Sequence, residues 1–112
     1  MKDDKLYLIH VRDSINLIIT YTEKGRDDFF SDKKTQDAVI RNIEIIGEAI
    51  KNISPKLRAS YPDIPWRLLA GMRDKMIHEY FGVNLDLVWE TVERDLPELL
   101  KNIETILNEV FF

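Results

Sequence analysis

The chain has 112 residues, with 16 Lys and Arg against 20 Asp and Glu, a formal net charge of −4 and no cysteine. Disulfides, thiol nucleophiles and zinc–thiolate sites are therefore excluded, and His10 and His78 stand too far apart in the sequence to suggest a His-rich metal site. No run approaches the ~20 apolar residues that cross a bilayer, and the acidic balance offers nucleic acid no global basic field, so an RNA contact would need a local patch.

With 45% hydrophobic and 32% charged residues, the composition is that of one globular domain over residues 1–112. The charged start MKDDK has no apolar signal region behind it, so the expected location is the cytoplasm. A first helix is predicted from about Asp3 to Lys24, with Leu8, Val11, Ile15 and Ile18 turned inward and a stop at Gly25. Val39, Ile43, Ile46, Ile50 and Ile53 then step by fours and threes, one stripe of an amphipathic helix. That helix should start near Ser31 or Thr35, with Asp32 or Asp37 at its positive end, and finish before Pro55. Residues 54–60 suit one short helical turn, and YPDIP, Tyr61 to Pro65, reads as a rigid connector.

Asp63 is placed to cap a further helix with Pro65 among its first residues, running to about Glu79. Asn84 is the expected N-cap of a last helix carrying Leu85, Val88, Val92, Leu96, Leu99, Ile103, Ile106 and Val110, which Pro97 should kink or divide. No period-two pattern longer than four residues marks a strand. The expected fold is all-α, an antiparallel bundle of four main helices plus a short one.

The stretch GMRDKMIHEYFG, Gly71 to Gly82, gathers the chemistry. On a straight helix at about 100° per residue, Arg73 and Tyr80 share a side while Arg73 and His78 diverge by roughly 140°. Arg73 and His78 converge only if the arginine reaches over a groove, if the helix unwinds near His78 as Gly82 allows, or if a second copy brings the motifs together about a two-fold axis. A histidine with a pKa near ~6.5 exchanges protons at neutral pH. An arginine fork suits phosphate oxygens. Together they suit RNA cleavage, with His78 taking the 2′-hydroxyl proton and Arg73 stabilising the charged transition state without a metal. The plainer reading has Arg73 in a salt bridge with a neighbouring glutamate, His78 capping the helix end and Tyr80 packed with its hydroxyl wet.

RDKMIHEY matches the R-x4-H-x-Y signature of the HEPN superfamily. With IIGEAIKNIS, IPWRLLAGMRDKMIHEYFGVNLDLVW and DLPELL, the setting resembles the HepT-like toxin branch over most of residues 37–107. The resemblance implies a homodimeric helical bundle whose paired motifs cut RNA without metal or cofactor. Carried onto this chain, Arg73 and His78 take the ribonuclease roles. Asp74 follows the arginine where the branch commonly has Asn; it keeps an acceptor that would orient His78 but adds negative charge beside the substrate phosphate. Tyr80 matches the tyrosine to which the partner, a minimal nucleotidyltransferase antitoxin, transfers AMP.

Arg67 and Lys75 flank the motif as candidate RNA contacts, although such charges usually form a solvated helix face. Gly47 reads as a close-packing position, Glu48 as a salt-bridge partner, Trp66 and Trp89 as core anchors rather than stacking platforms, and His10 as a surface residue. The closing VFF is expected to pack on the bundle or extend a dimer seam. Two other functions stay open: a non-catalytic subunit presenting substrate to a nucleotidyltransferase, and a helical interaction module with a vestigial motif.

Overall fold

The structure, a computed structural model, describes residues 3–78 and 82–111, and for His78 the description covers the backbone only. The described residues are overwhelmingly helical. Helix α1 (Asp4–Tyr21) starts where the Asp3 carboxylate accepts from the Leu6 amide at 3.1 Å. It ends earlier than Gly25, because the Thr22 hydroxyl donates back to the Ile18 carbonyl at 2.8 Å. Gly25, at φ 93°, instead opens a short helix α2 (Arg26–Ser31) that hydrophobic periodicity does not mark. Asp27 and Asp28 occupy its first turn, and Phe29 is fully buried with its ring 5.3 Å from that of Trp89.

Helix α3 (Lys33–Asn52) is capped by Asp32, which accepts from the Lys34 amide at 3.1 Å and the Thr35 hydroxyl at 2.9 Å. All five residues of the predicted stripe, Val39 through Ile53, are buried, as are Leu8, Val11, Ile15 and Ile18 of α1. Helices α1 and α3 pack against each other through these faces. Helix α4 (Pro55–Ser60) follows with Pro55 in its first turn, and the Ser54 hydroxyl accepts from Leu57. Ser54 in turn donates its amide (2.8 Å) and hydroxyl (2.6 Å) to the Asp4 carboxylate, tying α4 to the start of α1.

Two expectations fail in the next segment. Asp63 is exposed and caps nothing among the described residues; helix α5 (Trp66–Ala70) begins directly after Pro65. The long helix expected to reach Glu79 is instead α5, a break at Gly71, and α6 (Met72–Met76). The chain then turns extended. Strand β1 (Ile77–His78) pairs antiparallel with β2 (Gly82–Val83), Ile77 opposite Val83 and His78 opposite Gly82. The Asn84 amide closes the ladder on the Met76 carbonyl at 2.7 Å. Gly82 adopts φ 77°, which a side-chain-bearing residue rarely takes.

The last stretch follows the sequence closely. The Asn84 side chain accepts from the Leu87 amide at 3.1 Å and starts α7 (Leu85–Glu90). A π-helical turn, Thr91–Asp95, joins it to α8 (Leu96–Phe111), with the Leu96 amide reaching back five residues to the Thr91 carbonyl. Pro97 has no N–H for the carbonyl four residues before it, so one wide turn takes the place of a sharp kink. Val88, Val92, Leu96, Leu99, Ile103 and Ile106 are buried, Leu85 is partly buried, and Val110 is 48% exposed, outside the stripe predicted for it. Phe111 packs against the core. Among the described residues no helix is long and apolar enough to cross a membrane.

Candidate functional site

Arg73 is the second residue of α6, whose one apolar edge, Met72 and Met76, is buried, leaving Arg73, Asp74 and Lys75 exposed. Because the helix ends at Met76, the 100°-per-residue relation between Arg73 and His78 does not apply. The backbone of His78 lies on β1, beyond the helix end, which is the unwinding that Gly82 was expected to allow. An argument for two copies built on an unbroken helix therefore loses its footing. Tyr80 lies outside the described residues, as do Glu79 and Phe81.

The guanidinium of Arg73 is ion-paired. Its Nε is 3.3 Å from Glu44 Oε2 on α3, and its Nη1 is 3.5 Å from Asp74 Oδ1. For Arg73 this is the plainer reading of the motif. Asp74 thus accepts from the arginine beside it; the orienting role expected of it toward His78 rests on a side chain outside the described residues. The Arg73 and Glu44 side chains are 46% and 34% exposed. At that exposure such a pair contributes roughly 0.2–1 kcal/mol, weak enough for a substrate phosphate to compete for the arginine. Glu44 was not singled out from the sequence. The available signal was its place on the polar face of α3 with Arg41 and Glu48, three and four residues away.

Glu44 also borders a shallow cleft of about 240 Å³ between α1 and α3, lined by Tyr7, His10, Arg41, Glu48 and Asn52. His10 is exposed there, edge-on to the Tyr7 ring at 6.5 Å, as a surface histidine should be. Glu48 pairs with Lys51 at 3.5 Å, the expected bland role. Gly47 performs close packing, since a Cβ there would stand 3.1 Å from the Ala70 carbonyl oxygen on α5. Trp66, its Nε1 donating to the Tyr61 carbonyl at 3.0 Å, and Trp89 are both buried core residues.

The two candidate RNA contacts are not gathered at one spot. Arg67 is exposed on α5 and has no ion-pair partner among the described residues. Lys75 lines a separate hollow of about 470 Å³ between α5–α6 and α7–α8, where the other charged residues, Asp63, Asp95 and Glu98, are acidic. That company makes the hollow a poor phosphate track. Among the described residues no three His, Cys, Asp or Glu side chains gather as a metal site requires.

Comparison with known proteins adds what the geometry alone lacks. The pattern of the family described as ribonuclease HepT-like matches residues 11–106. A Methanocaldococcus jannaschii protein named as a gamma-glutamylcyclotransferase and, provisionally, an RNase is 54% identical over 110 residues, which is 97% of this chain. The alignment covers 50% of that protein, so the chain spans about half its length. A Thermococcus cleftensis protein named probable ribonuclease HepT is 48% identical over 106 residues, 94% of this chain and 96% of that one. A provisionally named RNase of Caldanaerobacter subterraneus is 41% identical over 110 residues, 97% and 98% respectively. No solved structure matches. The match runs through the core stripes of α1, α3 and α8 as well as the motif segment, and the chain belongs to the ribonuclease HepT-like family of the HEPN superfamily.

Proposed function

We propose that this chain is a metal-independent endoribonuclease of the toxin type, acting as a homodimer and held in check by a minimal nucleotidyltransferase that transfers AMP to Tyr80. Arg73 stabilises the charge on the transition-state phosphorane, and His78 moves the proton of the attacking 2′-hydroxyl. The products are a 2′,3′-cyclic phosphate and a 5′-hydroxyl.

The observation that carries the reading is the end of α6 at Met76. A half-exposed arginine near the start of a five-residue helix is followed five positions later, beyond the helix end, by a histidine whose backbone is extended rather than helical. The two are thereby freed from the fixed divergence of a straight helix. Family membership and the RNase names of relatives at 41–54% identity support the same chemistry. The homodimer rests on the family resemblance alone.

Purified protein should cut single-stranded RNA with EDTA in excess, and end-group analysis should find cyclic phosphate. Cleavage that appears only on adding magnesium, or that leaves 5′-phosphate ends, would reject the mechanism.

The Arg73–Glu44 pair also fits a second reading, an interaction module with a vestigial motif. It predicts RNA left intact at any protein concentration, with the family fold retained.

A further inference from the structure

We infer that Glu44 is a positioning residue for Arg73, fixing the guanidinium to the rigid part of the fold so that it meets substrate phosphate in one orientation. The inference rests on the ribonuclease reading of the site.

Arg73 has a long side chain on a five-residue helix that sits between a glycine break and a two-residue strand. Its other partner, Asp74, is the next residue on the same short helix and moves with it. Glu44 differs because it projects from α3, a 20-residue helix whose neighbouring Ile43, Ile46 and Gly47 are buried. Its contact at Nε, 3.3 Å, is thus the described link between the arginine head group and the core. A guanidinium offers five N–H donors, so contacts at Nε and Nη1 leave donors for phosphate oxygens. An arginine that is not held must be ordered at each turnover, and misplacement of about 1 Å can cost up to ~10²-fold in rate.

Glu44 also carries a charge that opposes phosphate. Removing it should therefore separate orientation from attraction. Glu44→Ala is expected to lower kcat by up to about fivefold, the upper end of what such a pair contributes, while KM for RNA stays level or falls. Glu44→Gln keeps the shape but not the charge, and because the contact that holds the arginine is ionic it should lose nearly as much. The pair is half exposed, so neither variant should shift the unfolding midpoint appreciably.

Unchanged kcat in Glu44→Ala and Glu44→Gln, or a raised KM with unchanged kcat, would overturn the inference. A second readout does not depend on activity. The order parameter of the Arg73 Nε–H bond should fall in Glu44→Ala, reporting a looser guanidinium. If wild-type protein leaves RNA intact, the ribonuclease reading fails, and the order parameter still decides the positioning claim: equal values in both proteins would reject it.

Discussion

Gly47 is where α3 and α5 approach most closely at a glycine, and substituting it tests whether that approach holds the arginine segment in place. A Cβ at Gly47 would stand 3.1 Å from the Ala70 carbonyl oxygen, inside ordinary contact, and Ala70 precedes Arg73 by three residues, across the break at Gly71. Gly47→Ala sets that squeeze against a helix-propensity gain of about 1 kcal/mol and should be close to neutral. Gly47→Val regains only about 0.3–0.5 kcal/mol of propensity and drives two more methyls at the same backbone, where overpacking costs about 1–3 kcal/mol. The net expected loss is about 1–2 kcal/mol, or about 4–8 °C in Tm for a domain of this size. Urea unfolding followed by helical circular dichroism measures it. Because α5 leads into α6, the same variant should also loosen the Arg73–Glu44 pair and slow cleavage beyond what its stability loss explains. A Gly47→Val protein as stable as Gly47→Ala would show that the two helices do not meet there, and the scaffold argument for Arg73 would fall with it.

The other expectations are simpler to read. Asn84→Ala removes the acceptor for the Leu87 amide at the start of α7 and should cost about 0.5–2 kcal/mol in the same unfolding assay, with Asn84→Asp nearly neutral. Asp32 has its carboxyl held below the usual range, first by the Thr35 hydroxyl and then by backbone amides of Lys34 and Thr35, so its cap contributes fully above the unfolded-state pKa of ~3.9 and is lost as pH falls through the lower folded value. The stability advantage of wild type over Asp32→Asn should accordingly shrink on acidification, and an advantage that grows would contradict the assignment. Tyr80→Phe should still cut RNA but gain no AMP, ~329 Da, on co-expression with a cognate nucleotidyltransferase; an adduct of that mass on Tyr61 or Tyr7 would displace Tyr80 from this role.

Much of this fold was legible because long amphipathic helices write their buried face at a fixed period. The Val39 to Ile53 stripe and the cap at Asn84 follow from spacing and side-chain chemistry alone, whereas α3 is capped by Asp32 itself and not at the expected Ser31 or Thr35. What escaped was short. α2 has too few residues to show a period, and its Phe29 is buried by contact with Trp89, 60 positions away in the chain. The end of α6 at Met76 depends on a two-residue strand pair whose partner residues, Gly82 and Val83, carry no alternation. Extending the helical pattern through IHEYFG was therefore the natural error, and it fell at the motif itself. The candidate residues were found by motif, yet Glu44 was missed because an ion pair between α3 and α6 leaves no mark on local sequence.

The central claim is that Arg73 and His78 form a cleavage centre. Single-turnover cleavage of one defined RNA, in excess EDTA, by wild-type and His78→Ala proteins tests it most directly. The account predicts a rate at least ~10²-fold lower for His78→Ala with an unchanged unfolding midpoint. Equal rates for the two proteins would contradict it.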